Sequence, residues 1–422
     1  MSEKGYENTN QTNNQKYLGK KGLIAFIALM NMFIPLSTDL YLPALPKMSS
    51  YFGSSISVTN LTLTAFFFFY ALGILIWGPI SDKYGRKPVL IVGSIIYIIS
   101  SSFCALSSNV YFLIFSRIAQ GIGAGGITSV SIAIIKDYFS GKERESILAI
   151  VQSLSGIAPM VAPIIGAWIL KISTWRGSFW ILTAISILNL LLTFLYEETL
   201  KDNERYMGTL AESIKRLLVV GKNKAFLIPA IIFSLSALPF MGYIAISSYI
   251  YVDYFGLSEQ VYSYFFAANA LISIIGPIIY VKYLNTIDKK IFASGCFGLS
   301  VLSGILIITV GKLSPVFFLL SFMIISLIGT AIRPFSTNIL LEQQNGDTGS
   351  ASSLINTLFT VFGSAGMLLA SISYKNIVVG LGGLVTLFSA IALIGWYGFI
   401  KSNIPCIGVK QPNYELNKNT VN

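Results

Sequence analysis

Two charged residues lie inside long apolar segments of this sequence, where charges are rare. Asp39 is near the end of the first apolar segment, and Arg117 is near the start of the fourth. A carboxylate beside an arginine can take up or release a proton when that pairing changes, because the guanidinium favours its charged form. The two residues are therefore candidates for proton exchange, as a pair or within one network in one conformation. A static structural salt bridge is the alternative.

Amide and phenol side chains also occur within the apolar segments. A few hydrogen-bonding groups among aromatic walls suit bulky, partly hydrophobic ligands. Gln120 shares a helix face with Arg117, three residues before it, so it is expected to bind a ligand or to steady the charged pair. The candidate cavity residues are Asn31, Tyr70, Gln120, Tyr243, Asn269, Asn338 and Asn356.

The sequence gives little support to enzyme chemistry. It contains no histidine, which is the commonest general base and metal ligand. Cys104, Cys296 and Cys406 follow no zinc or redox spacing, and no two carboxylates lie close together within the apolar segments. We therefore predict no catalytic residues, no metal site and no cofactor.

The composition indicates a membrane protein. Of the 422 residues, 54% are hydrophobic and 11% are charged, whereas soluble domains carry roughly 25% charged residues. The excess apolar surface must face lipid. The net charge of +11 does not indicate a nucleic-acid partner, because the basic residues lie in short gaps between the apolar segments rather than in one cluster.

Segments of about 20 apolar residues are long enough to span a bilayer, and twelve can be counted. The first six predicted spans are Gly22–Pro46, Thr59–Ser81, Pro88–Ser107, Tyr111–Tyr138, Ser146–Leu170 and Gly177–Tyr196. The second six are Lys224–Tyr251, Gln260–Tyr283, Ile291–Val310, Ser314–Leu340, Gly349–Tyr374 and Asn376–Ile400.

The distribution of basic residues predicts the orientation. If the N-terminus is cytoplasmic, inward loops and tails hold 22 of the 29 lysines and arginines, and outward loops hold five. This bias follows the positive-inside rule and predicts that both termini are cytoplasmic. Arg333 lies within the tenth span near its cytoplasmic end, where we expect it to reach the headgroups; a gate contact is the alternative.

The longest connection divides the spans six and six. Its apolar residues Leu210, Ile214, Leu217 and Leu218 have helical spacing, which favours an amphipathic surface helix over a flexible linker. The tripeptide Gly-Pro-Ile recurs at Gly78 and Gly276, in equivalent helices of the two halves. We therefore predict an all-α protein of two pseudo-symmetric six-helix bundles, with a tail at 1–21, bundles at 22–196 and 224–400, a linker at 197–223 and a tail at 401–422.

The connection between the second and third spans carries the sharpest motif, G-P-I-S-D-K-Y-G-R-K-P, from Gly78 to Pro88. Gly78 permits close backbone approach and Gly85 a tight turn. Asp82 can accept hydrogen bonds from Arg86. We interpret these four residues as a charged latch between helix bundles; an ordinary basic loop is the alternative.

This loop resembles the signature loop of the major facilitator superfamily. Three further segments resemble its drug:proton antiporter branch, and more closely the bicyclomycin and chloramphenicol exporters. They are S-T-D-L-Y-L-P-A-L-P from Ser37, R-I-A-Q-G-I-G-A-G-G from Arg117, and A-P-M-V-A-P-I-I-G-A from Ala158. The resemblance covers residues 22–400 and is densest in the first half.

The resemblance implies that Asp39 and Arg117 serve proton coupling. It also implies that the fifth helix, with Gly156, Pro159, Pro163 and Gly166, is the helix associated with exchange rather than uptake. This copy departs from the family pattern, since the alanines at 158, 162 and 167 replace the usual glycines. The departure weakens the antiport interpretation only mildly, because related exporters also carry alanine there.

These observations together predict a secondary transporter in the bacterial inner membrane that exports small, partly hydrophobic compounds in exchange for protons. No Gly-rich ATP-binding motif occurs, so the proton gradient is the expected energy source. Its expected partners are a small-molecule substrate, protons and membrane lipid, with the protein acting as a monomer. Proton-coupled transport of an endogenous metabolite is the main alternative; a membrane enzyme and a non-transporting receptor are less favoured.

Overall fold

The structure is a computed structural model that describes residues 15–206, 210–344 and 348–409. Within these ranges, eleven helical segments have the length and apolar composition needed to cross a membrane. The apolar part of a further helix, Gly156–Ile172, supplies the twelfth. The predicted all-α membrane fold of twelve helices is therefore confirmed.

The first half holds the spans one to six. Its helices are α1 (Gly19–Asp39), α2 (Leu45–Phe52), α3 (Ile56–Tyr84), α4 (Arg86–Leu106), α5 (Val110–Tyr138), α6 (Gly141–Ile172) and α7 (Arg176–Leu195). A short 3-10 segment, Leu42–Ala44, joins α1 to α2, so these two helices form one span.

The second half holds the spans seven to twelve. Its helices are α9 (Lys224–Ser234), α10 (Ala237–Ser248), α11 (Glu259–Ile279), α12 (Lys289–Thr309), α13 (Pro315–Glu342), α14 (Thr348–Ala370) and α15 (Ile377–Lys401). The π-helical segments Tyr249–Tyr254 and Tyr280–Leu284 extend α10 and α11. Between the halves lies α8 (Leu210–Lys222), where the apolar spacing predicted a helix.

The first and seventh spans are interrupted, whereas the sequence predicted continuous helices. The first breaks after Asp39, just before Pro43 and Pro46. Proline has no N–H to donate and disfavours helical geometry in the residue before it, so α1 cannot run on unchanged. The seventh span breaks between Ser234 and Ala237, one turn before Pro239.

The helices of the two halves pack in the same pattern. In the first half α3 packs on α5, α4 on α5 and α7, and α1 on α6. The equivalent helices repeat these contacts in the second half, where α11 packs on α13, α12 on α13 and α15, and α10 on α14. The repeated Gly-Pro-Ile tripeptide occupies equivalent positions in this pattern, because Gly78 lies against α5 and Gly276 lies against the equivalent helix α13.

The halves meet mainly through two helix pairs, α3 with α14 and α6 with α11. We call the end of the molecule that holds Gly19, α8 and Lys401 the linker end. At the other end, here named the sealed end, Lys47 forms an ion pair of 2.8 Å with Glu259, and the hydroxyls of Ser49 and Tyr249 are 2.8 Å apart. Further bonds between the halves join Asn60 to Ser371 and Gln260 to Ala167.

The hydrophobic core follows the same division. One cluster of buried residues runs through the first half and continues at the sealed end into the second half, where it includes Ile246, Tyr251 and Phe318. A separate cluster around Phe233, Phe335 and Trp396 fills the linker end of the second half. The halves therefore share a core at the sealed end and have separate cores at the linker end.

Glycines on α5 allow its close contact with α3 and α4. A Cβ atom added at Gly125 would lie 2.8 Å from the backbone of Gly73 on α3. Gly123 is similarly placed against Gly93 and Tyr97 on α4. Small residues of this kind let membrane helices approach closely, because van der Waals packing rather than the hydrophobic effect holds them together.

We predict that Gly125→Ala destabilises the protein by about 1–3 kcal/mol, because the added methyl group overpacks the α3–α5 contact. The matched control is Gly298→Ala in α12, where an added Cβ meets no atom within 4 Å. Thermal unfolding in detergent, followed with a thiol-reactive dye that reports exposure of the three buried cysteines, measures both variants. Equal melting temperatures for the two variants would contradict the prediction.

Candidate functional site

A cavity of about 790 Å3 lies between the two halves. Ser153, Gly156 and Pro159 of α6 form its wall on the first half, together with Asp39. The wall on the second half consists mainly of apolar and aromatic residues from α10 and α11, with Thr330 from α13. The cavity continues to Val281 and Lys282, beyond the last residue of α11, so it extends to the linker end.

Asp39 occupies the inner part of this cavity wall. It is the last residue of α1, and only 5% of its surface is exposed. The Thr38 hydroxyl donates to Oδ1 of Asp39 at 2.9 Å. Among the described residues, no lysine or arginine nitrogen lies within ion-pair distance of this carboxylate. A buried carboxylate with one weak donor and no cation is costly to keep charged.

Arg117 lies fully buried inside the first half rather than on the cavity wall. Its Nε donates to the carbonyl oxygen of Thr62 at 3.0 Å, and its Nη1 donates to the Gln120 side chain. The guanidinium also lies 4.2 Å from the ring centre of Phe66 and 4.9 Å from that of Tyr41. Its Nη2 is buried, and no acceptor among the described residues lies within hydrogen-bond distance of it.

The predicted pair of Asp39 and Arg117 is not formed in this structure. Thr62 of α3 and Gln120 of α5 hold the guanidinium inside the first half, whereas the carboxylate faces the cavity. Tyr41, two residues after Asp39, covers the guanidinium instead. Contact between the two charges in another conformation stays a prediction.

An aromatic stack of residues from α10, α11 and α13 adjoins the cavity, and its members Tyr243 and Phe266 line the wall. The ring of Tyr243 lies 4.0 Å from that of Phe322 and 5.9 Å from that of Phe266. Asn269 is beside them, and its side-chain oxygen accepts a hydrogen bond from Ser326 at 2.8 Å. This wall offers a broad apolar surface with one amide group, which suits a flat ligand with few polar groups.

The predicted cavity residues divide into two groups. Tyr243 and Asn269 line the cavity. The other five do not line it. Three of them have partners inside the first half: Asn31 bonds to Ser131, Tyr70 stacks on Phe66, and Gln120 bonds to Arg117 and Ser101. The other two are in the second half, where Asn338 is exposed beside Glu342 and Asn356 bonds to Arg333. A polar side chain within a span satisfies its hydrogen bonds inside a bundle as readily as in a cavity, so its presence in a span did not identify the cavity wall.

Arg333 does not extend toward the headgroups, as the sequence had suggested. Its Nη2 donates to Oδ1 of Asn356 at 3.0 Å, and its guanidinium lies 3.7 Å from the ring centre of Phe359. Both partners are on α14, so the side chain crosses from α13 to the neighbouring helix of the same half.

The four latch residues lie at the linker end of the first half. The buried Arg86 forms ion pairs with Asp82 at 2.5 Å and with Asp137 at 2.8 Å, which joins α3, α4 and α5. Gly78 lies beside Ser129 of α5. Every ion pair of this cluster stays within the first half, so a latch between the bundles is not formed in this conformation.

Gly85 makes the turn between α3 and α4 with a φ of 102°, a value that few residues other than glycine adopt. The Glu198 carboxylate lies directly beneath it and accepts from the backbone N–H of Lys87 at 2.9 Å. The Lys87 side chain in turn donates to the carbonyl of Tyr196 at 2.7 Å. The turn is thereby fixed to the end of α7.

The fifth span uses its small residues on two sides. Gly156 faces Ile274 of α11 in the other half, and Pro159 lines the cavity beside it. Gly166 instead packs against the backbone of Leu40 in its own half. Pro163 is buried one turn before it. The helix therefore fits closely against the break after α1 and against the opposite half.

Sequence reasoning missed two charged groups near the site. Asp137, the second partner of Arg86, stands in the last turn of α5, where a carboxylate within an apolar segment was a usable signal. Lys282 lay one residue before the end of the predicted span Gln260–Tyr283 and was not singled out, and its place on the cavity wall follows from the π-helical extension of α11.

The sequence was compared with known families and curated proteins. The family described as Major Facilitator Superfamily matches residues 23–367. The "Uncharacterized MFS-type transporter YdgK" of Bacillus subtilis is 29% identical over 92% of this chain and 98% of its own length. The "Bicyclomycin resistance protein homolog" of Haemophilus influenzae is 25% identical over 82% and 88%. The "Multidrug resistance protein MdtL" of Klebsiella pneumoniae is 29% identical over 60% and 63%.

Solved structures share the fold at low sequence identity. A D-xylose-proton symporter superposes with a TM-score of 0.72 at 17% identity, over 92% of this chain and 98% of its own. A bacterial homologue of the human lysosomal transporter Spinster, solved in an inward-facing and unoccupied conformation, gives a TM-score of 0.72 at 15% identity, over 89% and 96%. These relatives and neighbours are transporters and not enzymes. The family match over most of the chain and the twelve-helix fold show that this protein belongs to the Major Facilitator Superfamily.

Proposed function

We propose that this protein exports small, partly hydrophobic compounds in exchange for protons by alternating access. The observation that carries the proposal is the position of Asp39. Its carboxylate faces a cavity of about 790 Å3 with an apolar and aromatic wall, and no described lysine or arginine neutralises it. Ionisable residues at such depth in membrane proteins commonly mark ion or proton pathways.

A proton on Asp39 removes a buried charge and lets the carboxyl group enter apolar surroundings. The first and second halves can then rock with the neutral group enclosed between them. When water reaches the carboxyl group, the charged form becomes favourable again and the proton leaves. Exchange requires that the proton and the compound displace each other. A compound that donates a hydrogen bond to the charged carboxylate of Asp39 favours release of the proton, and a proton on Asp39 weakens the binding of that compound.

Arg117 is the proposed partner of Asp39 in the opposite conformation. The described part of the chain offers no acceptor to the buried Nη2 of Arg117, which is costly unless another state supplies one. Tyr41, whose ring lies 4.9 Å from the Arg117 guanidinium, is at the break between α1 and α2, two residues after Asp39. A change in this break would move Tyr41 and bring the carboxylate toward the guanidinium.

The basic residues support a cytoplasmic linker end. In that orientation the cavity opens to the cytoplasm and the sealed end faces outward. A compound then enters from the cytoplasm, and the cation–carboxylate and hydroxyl contacts at the sealed end must separate to release it outside. The names of relatives that refer to bicyclomycin and multidrug resistance support export. Uptake of a metabolite on the same fold is the alternative, since the fold alone does not set direction.

We predict that Asp39→Asn abolishes compound-driven proton movement, because the amide cannot take up the proton at this position. Purified protein is reconstituted in liposomes that enclose a pH-sensitive dye, and chloramphenicol, norfloxacin and ethidium are tested under an imposed proton gradient. The wild type is expected to move protons opposite to at least one compound. The variant should match empty liposomes while still binding that compound.

Asp253→Asn is the matched control, because Asp253 is an exposed carboxylate at the end of the seventh span that does not line the cavity. It should transport like the wild type. Wild-type proton exchange by Asp39→Asn would refute the role of Asp39. Proton movement in the same direction as the compound would replace export by uptake.

A second prediction concerns the ion pair of Lys47 and Glu259 at the sealed end. Charge reversal in Lys47→Glu should weaken the seal and increase opening by about two- to fivefold, because partly exposed ion pairs contribute up to about 1 kcal/mol. Opening is measured in intact cells by labelling a cysteine introduced at the cavity residue Ser273, in a variant without native cysteines, with a membrane-impermeant maleimide. Lys47→Glu combined with Glu259→Lys should restore the slow labelling. Fast labelling in the double variant would show that this pair does not hold the seal.

A further inference from the structure

Arg333 is a charged residue inside the tenth span. It lies nine residues before the end of α13, which is roughly 14 Å along the helix axis. Within the described ranges, no carboxylate lies within ion-pair distance of it. Its nearest partners are the neutral amide of Asn356 and the ring of Phe359.

The described partners of the Arg333 guanidinium use only part of its hydrogen-bond donors. Arginine has five N–H donors in a planar fork, and one described hydrogen bond, to Asn356, uses one of them. The Phe359 ring lies 3.7 Å from the guanidinium carbon and holds the plane of the fork. Asn356 itself is exposed and Arg333 is half-buried, so the remaining donors stay accessible.

Arg333 lines a small pocket of the second half, together with Phe233, Ser336 and Phe359, and this pocket adjoins the central cavity along α13. Thr330, one helical turn earlier on α13, is part of the cavity wall. The turn from Thr330 to Arg333 leads toward the linker end, where the cavity is open. Asp39 lines the central cavity and Arg333 lines the adjoining pocket, so the cationic group and the proposed proton carrier do not compete for one place.

We propose that Arg333, held by Asn356 and Phe359, binds the carboxylate of an amphipathic substrate whose aromatic part lies against Tyr243 and Phe266. This inference rests on the proposed function, in which the cavity binds small compounds, and it narrows the substrate class to aromatic carboxylates. The guanidinium fork matches a carboxylate with two parallel hydrogen bonds, a geometry that a lysine cannot provide.

The charge balance supports this substrate class. An arginine within a span is costly unless it pairs or faces water, and the described protein groups supply only a neutral amide. A substrate carboxylate would supply the missing negative charge in the step that carries the compound across. The broad aromatic wall then accommodates rings of different outlines, while the fork selects for the acid group.

The test compares acids with their own esters. Nalidixic acid, 2-naphthoic acid and 1-pyrenebutyric acid, each beside its methyl ester, are titrated into the purified full-length protein in detergent. At least one acid should bind the wild type about tenfold more tightly than its ester, since hydrogen bonds to charged groups contribute about 1.5–3 kcal/mol. Arg333→Gln should remove that difference and leave ester binding within about twofold, which also shows that the variant is folded.

Lys282→Gln tests the rival cation, because Lys282 lines the central cavity and could itself bind a carboxylate. The matched control is Lys401→Gln at the end of α15, which removes a positive charge from the second half at a residue that does not line the cavity. Both variants should keep the preference for the acid. Arg333→Lys retains the charge but not the fork, so its preference should fall between those of the wild type and Arg333→Gln; it serves as the second variant if Arg333→Gln does not fold.

Three results would overturn the inference. They are equal binding of every acid and its ester by the wild type, an unchanged preference in the Arg333 variants, and an equal loss of preference in Lys282→Gln. Binding of phosphatidylglycerol but of none of the acids, dependent on Arg333, would assign the site to a lipid headgroup and also overturn it. Proton exchange driven by an ester and lost in Asp39→Asn would leave the proposed function intact in each of these cases.

Discussion

Peptide N–H and C=O groups within hydrocarbon have no water to bind, and the remainder of this fold depends on that constraint. Each span satisfies it as a helix, because a helix pairs its backbone groups internally. Where the chain departs from helical geometry, protein covers the backbone. The break after Asp39 is packed against Gly166 of α6, and a glycine is required there because any side chain would meet the carbonyl of Leu40. The interruption next to the proposed proton site is thus possible only because the fifth span fits so closely against it.

The same low-polarity surroundings make it necessary to compensate internal charges, and Arg86, Arg117 and Asp39 are compensated to different extents. Arg86 is neutralised by Asp82 and Asp137 inside one bundle, which makes it a fixed structural element. Arg117 is surrounded by rings and a carbonyl oxygen, with one donor left unpaired. Asp39 faces a cavity with a single hydroxyl partner. A buried charge without enough partners can lower its free energy when its surroundings change. We therefore regard Arg86 as a fixed part of the first half, and Asp39 and Arg117 as the residues whose surroundings we propose to change.

The two halves repeat one packing scheme, yet they differ in polarity. The first half holds Asp39, Arg117 and the buried Arg86 cluster, and the second half holds the aromatic stack of the cavity wall and Arg333. The two halves share a core at the sealed end and have separate cores at the linker end. The interface between the halves can therefore open by rocking. Symmetric packing therefore provides the motion, and the asymmetric side chains provide the chemistry.

The sequence by itself determined the helical class, the span count and the family, because length, apolar composition and local motifs are written along the chain. It also indicated Asp39, Arg117, Tyr243 and Asn269. Only the tertiary structure decided that Asp39 faces a cavity while Arg117 lies behind Tyr41, that Asn338 and Asn356 do not line that cavity, and that Arg333 turns toward Phe359. The physical reason is that every face of a membrane helix is apolar in composition, since lipid and the protein interior are equally apolar. Hydropathy therefore predicts that a helix spans the membrane, whereas only contacts with other helices decide which of its faces meets the cavity.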